Sequence, residues 1–453
     1  MSTAAQTVAG TQEAPAPIGE RDPGVVVALR VELAKLSSQV SLRIVLALCA
    51  IVPAVFAIVM RVASSRPADT LFGRWAGTSG FATSLTVLNW AAAYGAPLLA
   101  GLFAGDMFAS EDRHDTWKTI LSRSTSRSRL FVGKALAAAL TVWVGFGLIA
   151  VVSIVAGMAA VGSAPLVGLS GQLIPAGHAL GLVVASWALS LLASTAFVAL
   201  GLLLSIATRS GSIAMLGPLV VAIVLQLLEA IAAGRIVRSV LLSTPFDAWH
   251  VLFTDSAATS VIVQSIATSL GYTALFGGAA WYLLRRRDFA GVDAVPARRR
   301  RATMRIGVAL AALSAVLVGL SGVGPTALTA NRLGDSLATT FGNLAEVRYQ
   351  WQTGAKADTN IPWHATCTRG GTAAGVTPST ATGAGDDWAC TIVDTRASDG
   401  AGPTVLDVTL KANGCYQVQS PPGARSARST STTTRADPSS IRCSPSTAAS
   451  EPP

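Results

Sequence analysis

Charged residues make up only 13% of this 453-residue chain, about half the share with which a soluble domain faces water. So little charge excludes an ordinary soluble globular protein, and lipid is the simplest solvent for the rest of the surface. Histidine is scarcer still. His114, His178, His250 and His364 fall in separate segments, so no metal-ligand cluster is visible. There is no H-E-x-x-H, no G-x-S-x-G and no G-x-x-x-x-G-K-[ST]. The chain therefore shows no zinc-hydrolase or serine-hydrolase centre and no loop to cradle nucleotide phosphates. No chain of acids crosses the apolar part either, which counts against proton-coupled transport.

What is present is apolar chain, 51% of the residues. Runs of about 18 residues or more can cross a bilayer as helices, and seven are read: Leu42–Met60, Ser84–Met107, Phe131–Ala159, His178–Ala207, Ser212–Ala233, Ser260–Leu284 and Met304–Val323. Inside lipid the backbone must satisfy its own hydrogen bonds, so uninterrupted runs of this length are helices. Arginine and lysine gather at alternate span ends. They crowd the segment before the third span and the tail of the sixth, "RRRDFAGVDAVPARRRRATMR". The positive-inside rule then sets the N-terminus in the cytoplasm and everything after the seventh span outside the cell membrane. The net charge of +10 belongs to this bias and not to a nucleic-acid surface.

Residues 1–23 read as a disordered cytoplasmic tail, small, polar and Pro-bearing. The following "VVVALRVELAKLSSQVSLR" mixes apolar residues with Arg30, Glu32 and Lys35 and reads as a helix on the inner membrane surface; a plain extension of the first span is the alternative. From Gly324 the composition changes to Thr, Ser, Gly, Asp and Pro. Strand-like alternation appears in "EVRYQWQ", "WACTIVD" and "TVLDVTLKA". Cys49 sits alone in the first span, whereas Cys367, Cys390, Cys415 and Cys443 share this last region. Four cysteines in a small exported domain predict two disulfides with three possible connectivities. Pairing in sequence order, Cys367–Cys390 and Cys415–Cys443, closes the shortest loops. Zinc, with His364 nearby, is the rival reading, but the C-x-x-C spacing is missing.

One charged segment interrupts the apolar chain, "FASEDRHDTWKTILSRSTSRSRLFVGKALA", Phe108 to Ala137, and the charge bias makes it the cytoplasmic turn between spans two and three. Trp117, Ile120 and Leu121 are spaced i, i+3, i+4 on one helical face. Ser110 with Glu111 and Asp112 has the chemistry of a helix start. The segment resembles the stretch after the second helix of ABC transporter type-2 permeases: an acid, a short apolar pair, Leu-Ser-Arg, a second Arg, and Gly-Lys entering helix three. Glu111, Thr116, Ile120, Leu121, Ser122, Arg123, Arg127, Gly133 and Lys134 carry the likeness, with Asp115 in place of the usual Gly. Arg285 to Phe289, "RRRDF", resembles the family's end. "LSGQ", Leu169–Gln172, looks like the signature of the partner ATPases, but it lacks a glycine and falls in an outside loop.

The resemblance implies an all-α polytopic membrane protein with a six-helix permease core over residues 24–291; read from the residues, and extra to that core, are a basic linker and seventh helix over 292–324 and a small β-rich, disulfide-bonded extracytoplasmic domain over 325–453. It implies a permease subunit, an exporter, without catalytic residues, metal or cofactor of its own. ATP would be used by a separate ABC ATPase subunit, and a second permease half would complete the path. The ATPase-coupling residues implied are Glu111, Asp112, Arg113, Thr116, Trp117, Lys118, Ile120, Leu121, Arg123 and Arg127. Spans two and five line the path in the family. Asp106 at the inner end of span two and Glu229 near the outer end of span five are the acids a path could use, although each is also placed as an interfacial side chain would be. A membrane-anchored extracytoplasmic sensor or scaffold is the alternative reading. The partners expected are the ATPase, the second half and membrane lipid.

Overall fold

The computed structural model describes residues 24–63, 67, 70–114, 116–117, 126–231, 242, 244–254, 259–287, 329–353, 363–370, 385–394, 404–410, 415–419 and 440–443. Helix α1 (Val25–Ser38) is separated from α2 (Val40–Val62) by Gln39, whose ψ of 128° is extended. The chain turns there, so α1 is its own element and not an extension of the first span. Its Val26, Val27 and Val31 are exposed while Glu32 and Leu36 are buried.

Five helices are long and apolar enough to cross a membrane: α2, α3 (Gly80–Arg113), α4 (Arg127–Ala160), α5 (Ala176–Thr208) and α8, whose full extent is Thr259–Arg285. Helix α6 (Gly211–Ile231) is apolar but shorter in its described stretch. The first six predicted spans thus fall on helices, while Met304–Val323 lies outside the described residues. Outward-facing Ile, Val and Leu on α2, α4 and α6 are exposed, as lipid-facing side chains are. Helices α3, α4, α5 and α8 form the shared core with Phe103, Phe146, Trp187, Phe197 and Phe276.

Helix α3 is not uniform. Two π turns, Ala91–Gly95 and Gly101–Gly105, flank Pro97. They shift the register of the ladder, which Pro97 interrupts. Beyond the second, the amides of Phe108 and Ala109 donate to Ser205 Oγ of α5 at 3.1 and 2.9 Å, so a side chain of the neighbouring span meets backbone donors. Ser84, Ser153 and Trp187 form a second polar junction, Ser84 Oγ to Ser153 Oγ at 2.9 Å and Trp187 Nε1 to Ser84 Oγ at 3.1 Å.

At the end of the bundle where α4 stops, strands β1 (Leu166–Val167) and β2 (Leu173–Ile174) form a small antiparallel hairpin. The "LSGQ" residues are its turn. Leu169 N and Gln172 Nε2 both donate to Phe253 O, at 2.8 and 3.0 Å. Phe253 closes the 3-10 helix Ala248–Phe253, which follows the short α7 (Thr244–Asp247). Phe72 stacks on Trp249 of the 3-10 helix and meets Phe253 edge-on at 5.1 Å between centroids.

The C-terminal domain has a separate core. Strands β3 (Trp363–Arg369), β4 (Gly385–Asp394), β5 (Thr404–Leu410), β6 (Cys415–Gln419) and β7 (Ser440–Cys443) form an antiparallel sheet in sequence order. Helix α9 (Ala330–Thr353) packs on it through Leu333, Leu337 and Phe341. The expectation that "EVRYQWQ" is a strand is therefore corrected: it is the last part of α9. Its local alternation is outweighed by the i, i+4, i+8 spacing upstream, which buries one helical stripe. "WACTIVD" and "TVLDVTL" are strands β4 and β5. Cys367 and Cys390 are direct register partners and are joined by a disulfide.

Candidate functional site

The charged segment does not begin a helix as its Ser-Glu-Asp chemistry suggested. Glu111 and Asp112 instead end α3, which stops at Arg113. Two acids at the negative end of a helix dipole are unfavourable alone, and cations from distant elements compensate them. Glu111 Oε1 lies 2.6 Å from Lys35 Nζ of α1 and 3.2 Å from Lys134 Nζ of α4. Thr116 Oγ1 donates to the other carboxylate oxygen. Lys134 is fully buried and also reaches Glu32 Oε1 of α1 at 2.7 Å. Its ammonium stands 5.8 Å from the centre of the Phe108 ring. Glu32, Lys35, Glu111 and Lys134 thus form a neutral cluster of two acids and two bases. Neutrality and hydrogen bonding are what make burial of such charges tolerable.

A close approach of backbones permits this. A Cβ on Gly133 would stand 2.7 Å from Ala28 Cβ and 3.2 Å from Leu29 N, so α1 can lie against α4 there only because residue 133 has no side chain. The Gly-Lys pair entering helix three therefore has two physical parts, a crossing point and a buried cation.

Asp112 organises the next layer. It accepts from Trp117 Nε1 at 2.8 Å and from the Arg287 guanidinium just beyond α8. Trp117 is only 4% exposed. Its ring stacks on Phe108 at 6.1 Å between centroids, Phe108 stacks on Phe131 at 5.9 Å, and the Arg287 guanidinium lies over the Trp117 ring, 5.6 Å from its centroid. Arg127, near the N-terminus of α4, donates to the carbonyls of Arg285 and Arg287 at 3.1 and 3.0 Å, satisfying acceptors that the end of α8 leaves open. Four pieces of chain, α1, the end of α3 with its turn, the start of α4 and the end of α8, are thereby tied into one unit.

Among the predicted site residues, the structure brings Glu111, Asp112, Thr116, Trp117 and Arg127 into this unit. Arg113 points outward, 58% exposed in its side chain, and pairs with Asp106 at 2.6 Å. Asp106 lines a cavity of about 100 Å³ beside the cluster, together with Glu32, Lys35 and Met215. Lys118, Ile120, Leu121 and Arg123 lie outside the described residues. Glu229 is on α6, with its side chain outside the described set, as are those of Cys415 and Cys443. Sequence reading missed Glu32, Lys35 and Arg287 as members of the site. Lys134, the lone ammonium in the first turns of a 34-residue apolar helix, is the signal that could have found them, because such a charge needs a partner.

A bundle of long apolar helices with lipid-facing aliphatics and a charged junction at one end defines a polytopic membrane protein. The particular family follows from comparison. The family model for ABC-2 family transporter proteins matches residues 36–289, more than half the chain, and this chain belongs to that family. No curated protein matches it. Domains of this family are transport subunits without a nucleotide site of their own and generally work with an ABC ATPase.

Proposed function

We propose that this chain is the membrane-spanning half of an ABC exporter, moved by a separate ATPase subunit that seats on the turn from Glu111 to Arg127. The observation that carries this reading is the ion-paired unit around Lys134. A push on the turn is transmitted at once to α1, α3, α4 and α8, because the charges that bind them cannot separate without exposing buried ions. The outward contacts then fall to Arg113, Arg127 and the residues between Trp117 and Ser126, with Trp117 supporting the turn from beneath. ATP is bound and hydrolysed by the partner, and a second copy or a related half completes the path.

The charged end is cytoplasmic in this reading. Helix α8 finishes there at Arg285, whereas α9 reaches the opposite end, where Asn343 Nδ2 donates to Ser170 O of the β1–β2 turn at 2.9 Å. That α8 ends at the charged end while α9 rests on the other supports a seventh span at Met304–Val323 and an extracytoplasmic C-terminal domain.

Co-purification of a cognate ATPase with the full chain, and ATP hydrolysis by the complex in liposomes, test the proposal. An ATPase that neither binds the chain nor is stimulated by it would remove the transporter reading and favour a membrane-anchored sensor.

A further inference from the structure

Nothing in the six-helix core requires the C-terminal domain, yet its helix α9 is seated on a particular element of the membrane part. Asn343 donates its side-chain amide to Ser170 O at 2.9 Å. The next residue, Gly171, has φ of +82°, and a Cβ there would meet Thr340 O at 2.8 Å, Leu344 Cγ at 3.2 Å and Asn343 Cβ at 3.3 Å. Two requirements converge on that position, a left-handed backbone and direct contact with one face of α9. The hairpin turn is in turn braced inward. Leu169 N and Gln172 Nε2 share Phe253 O, and Phe253 ends the 3-10 helix that leads toward α8. The contact therefore links α9, the α4–α5 connection and the segment between α6 and α8.

We propose that this face of α9, around Thr340, Asn343 and Leu344, is a docking surface for the β1–β2 turn. Docked, the C-terminal domain restrains the outer end of the bundle. A folded domain resting on the turn would oppose any opening that parts the α4–α5 connection from the 248–253 helix, to which Leu169 N and Gln172 Nε2 are bonded. The domain is rigid enough to do so: its core holds Trp388, Tyr416 and the Cys367–Cys390 bridge, and Tyr416 Oη lies 3.2 Å from Ser336 Oγ and 3.1 Å from Thr340 Oγ1, which ties the sheet to the docking helix. The restraining role rests on the ABC exporter reading, whereas the docking contact does not.

The test uses the full chain with its ATPase in liposomes. A photo-reactive benzoylphenylalanine at position 344 reads docking by cross-linking to peptide 168–172, and ATP hydrolysis reads restraint. Asn343→Asp keeps the size of the side chain but sets a carboxylate against the Ser170 carbonyl. Gly171→Val inserts a branched side chain into the contact. Each should lower the cross-link about tenfold, the scale of one lost buried hydrogen bond or a comparable clash, and should raise the hydrolysis rate several-fold. Because Gly171→Val can also distort the hairpin, Asn343→Asp decides if the two disagree. Absence of the cross-link in the otherwise wild-type chain overturns the docking. Loss of the cross-link in Asn343→Asp with an unchanged or lower rate overturns the restraint. A wild type that cross-links but shows no ATPase-coupled activity sinks the exporter reading and the restraint together, leaving the docking surface standing.

Discussion

Lys134 of α4 meets Glu32 of α1 at 2.7 Å with its side chain fully buried, so a surface helix is fastened to the bundle by an ion pair that water does not reach. Removing one member of a buried pair costs about 3–5 kcal/mol, a large part of the roughly 5–15 kcal/mol that holds a typical domain together. Lys134→Met should therefore lower the unfolding midpoint in detergent sharply. Adding Glu32→Gln should restore part of the loss, since Glu111 keeps Lys35. A double variant no more stable than the single one would show that charge pairing is not the source.

Trp117 supports the turn from within the chain. Trp117→Ala removes the ring that contacts Phe108 and Arg287 and the donor to Asp112, and should weaken ATPase binding several-fold by loosening the turn it supports. Trp117→Phe keeps the stacking and loses only the Nε1 bond, so it should fall between. Arg123→Glu should weaken binding comparably if the partner surface is acidic. Titrated co-purification in detergent ranks the three, and equal retention by all would take the turn out of the interface.

Gly133 is a crossing point. Gly133→Ala already sets a Cβ 2.7 Å from Ala28 Cβ and should push α1 away from α4, and Gly133→Leu should lift it further. Trypsin cleavage after Arg30 and Lys35 in membranes reads the displacement. Faster cleavage is expected for Leu than for Ala and slowest for wild type; identical rates would mean that α1 does not depend on this contact.

Backbone register sets Cys415 opposite Cys443 on neighbouring strands, the arrangement in which Cys367 and Cys390 are already bridged. A second disulfide is expected there. Denaturing thiol counts on the full chain without reductant should find one free thiol, that of Cys49. Three would mean that the second bridge is absent.

Topology is tested by fusions. Cytoplasmic reporters after Arg209 and Arg299 should be active, and an export-dependent reporter after Leu328 should be active. A cytoplasmic signal after Leu328 would eliminate the seventh span.

Membrane character and the helices beneath the first six apolar runs, five of them long and apolar enough to cross a membrane, were legible in the sequence. They depend on properties that are local and additive: run length and mean hydropathy. The β4 and β5 strands were legible for the same reason, because alternation over a few residues is enough to specify a half-buried strand. Tertiary structure alone decided the rest. "EVRYQWQ" alternates like a strand but is helical because Leu333, Leu337 and Phe341 upstream have a sheet to pack against. Trp117 faces inward because Phe108, Asp112 and Arg287 surround it, and Arg287 comes from the far end of the core. Glu32 and Lys134 become a site only when Gly133 lets α1 lie on α4. A buried charge names its need for a partner in the sequence, but which distant residue supplies that partner is set by the packing of helices whose contacts no local pattern records.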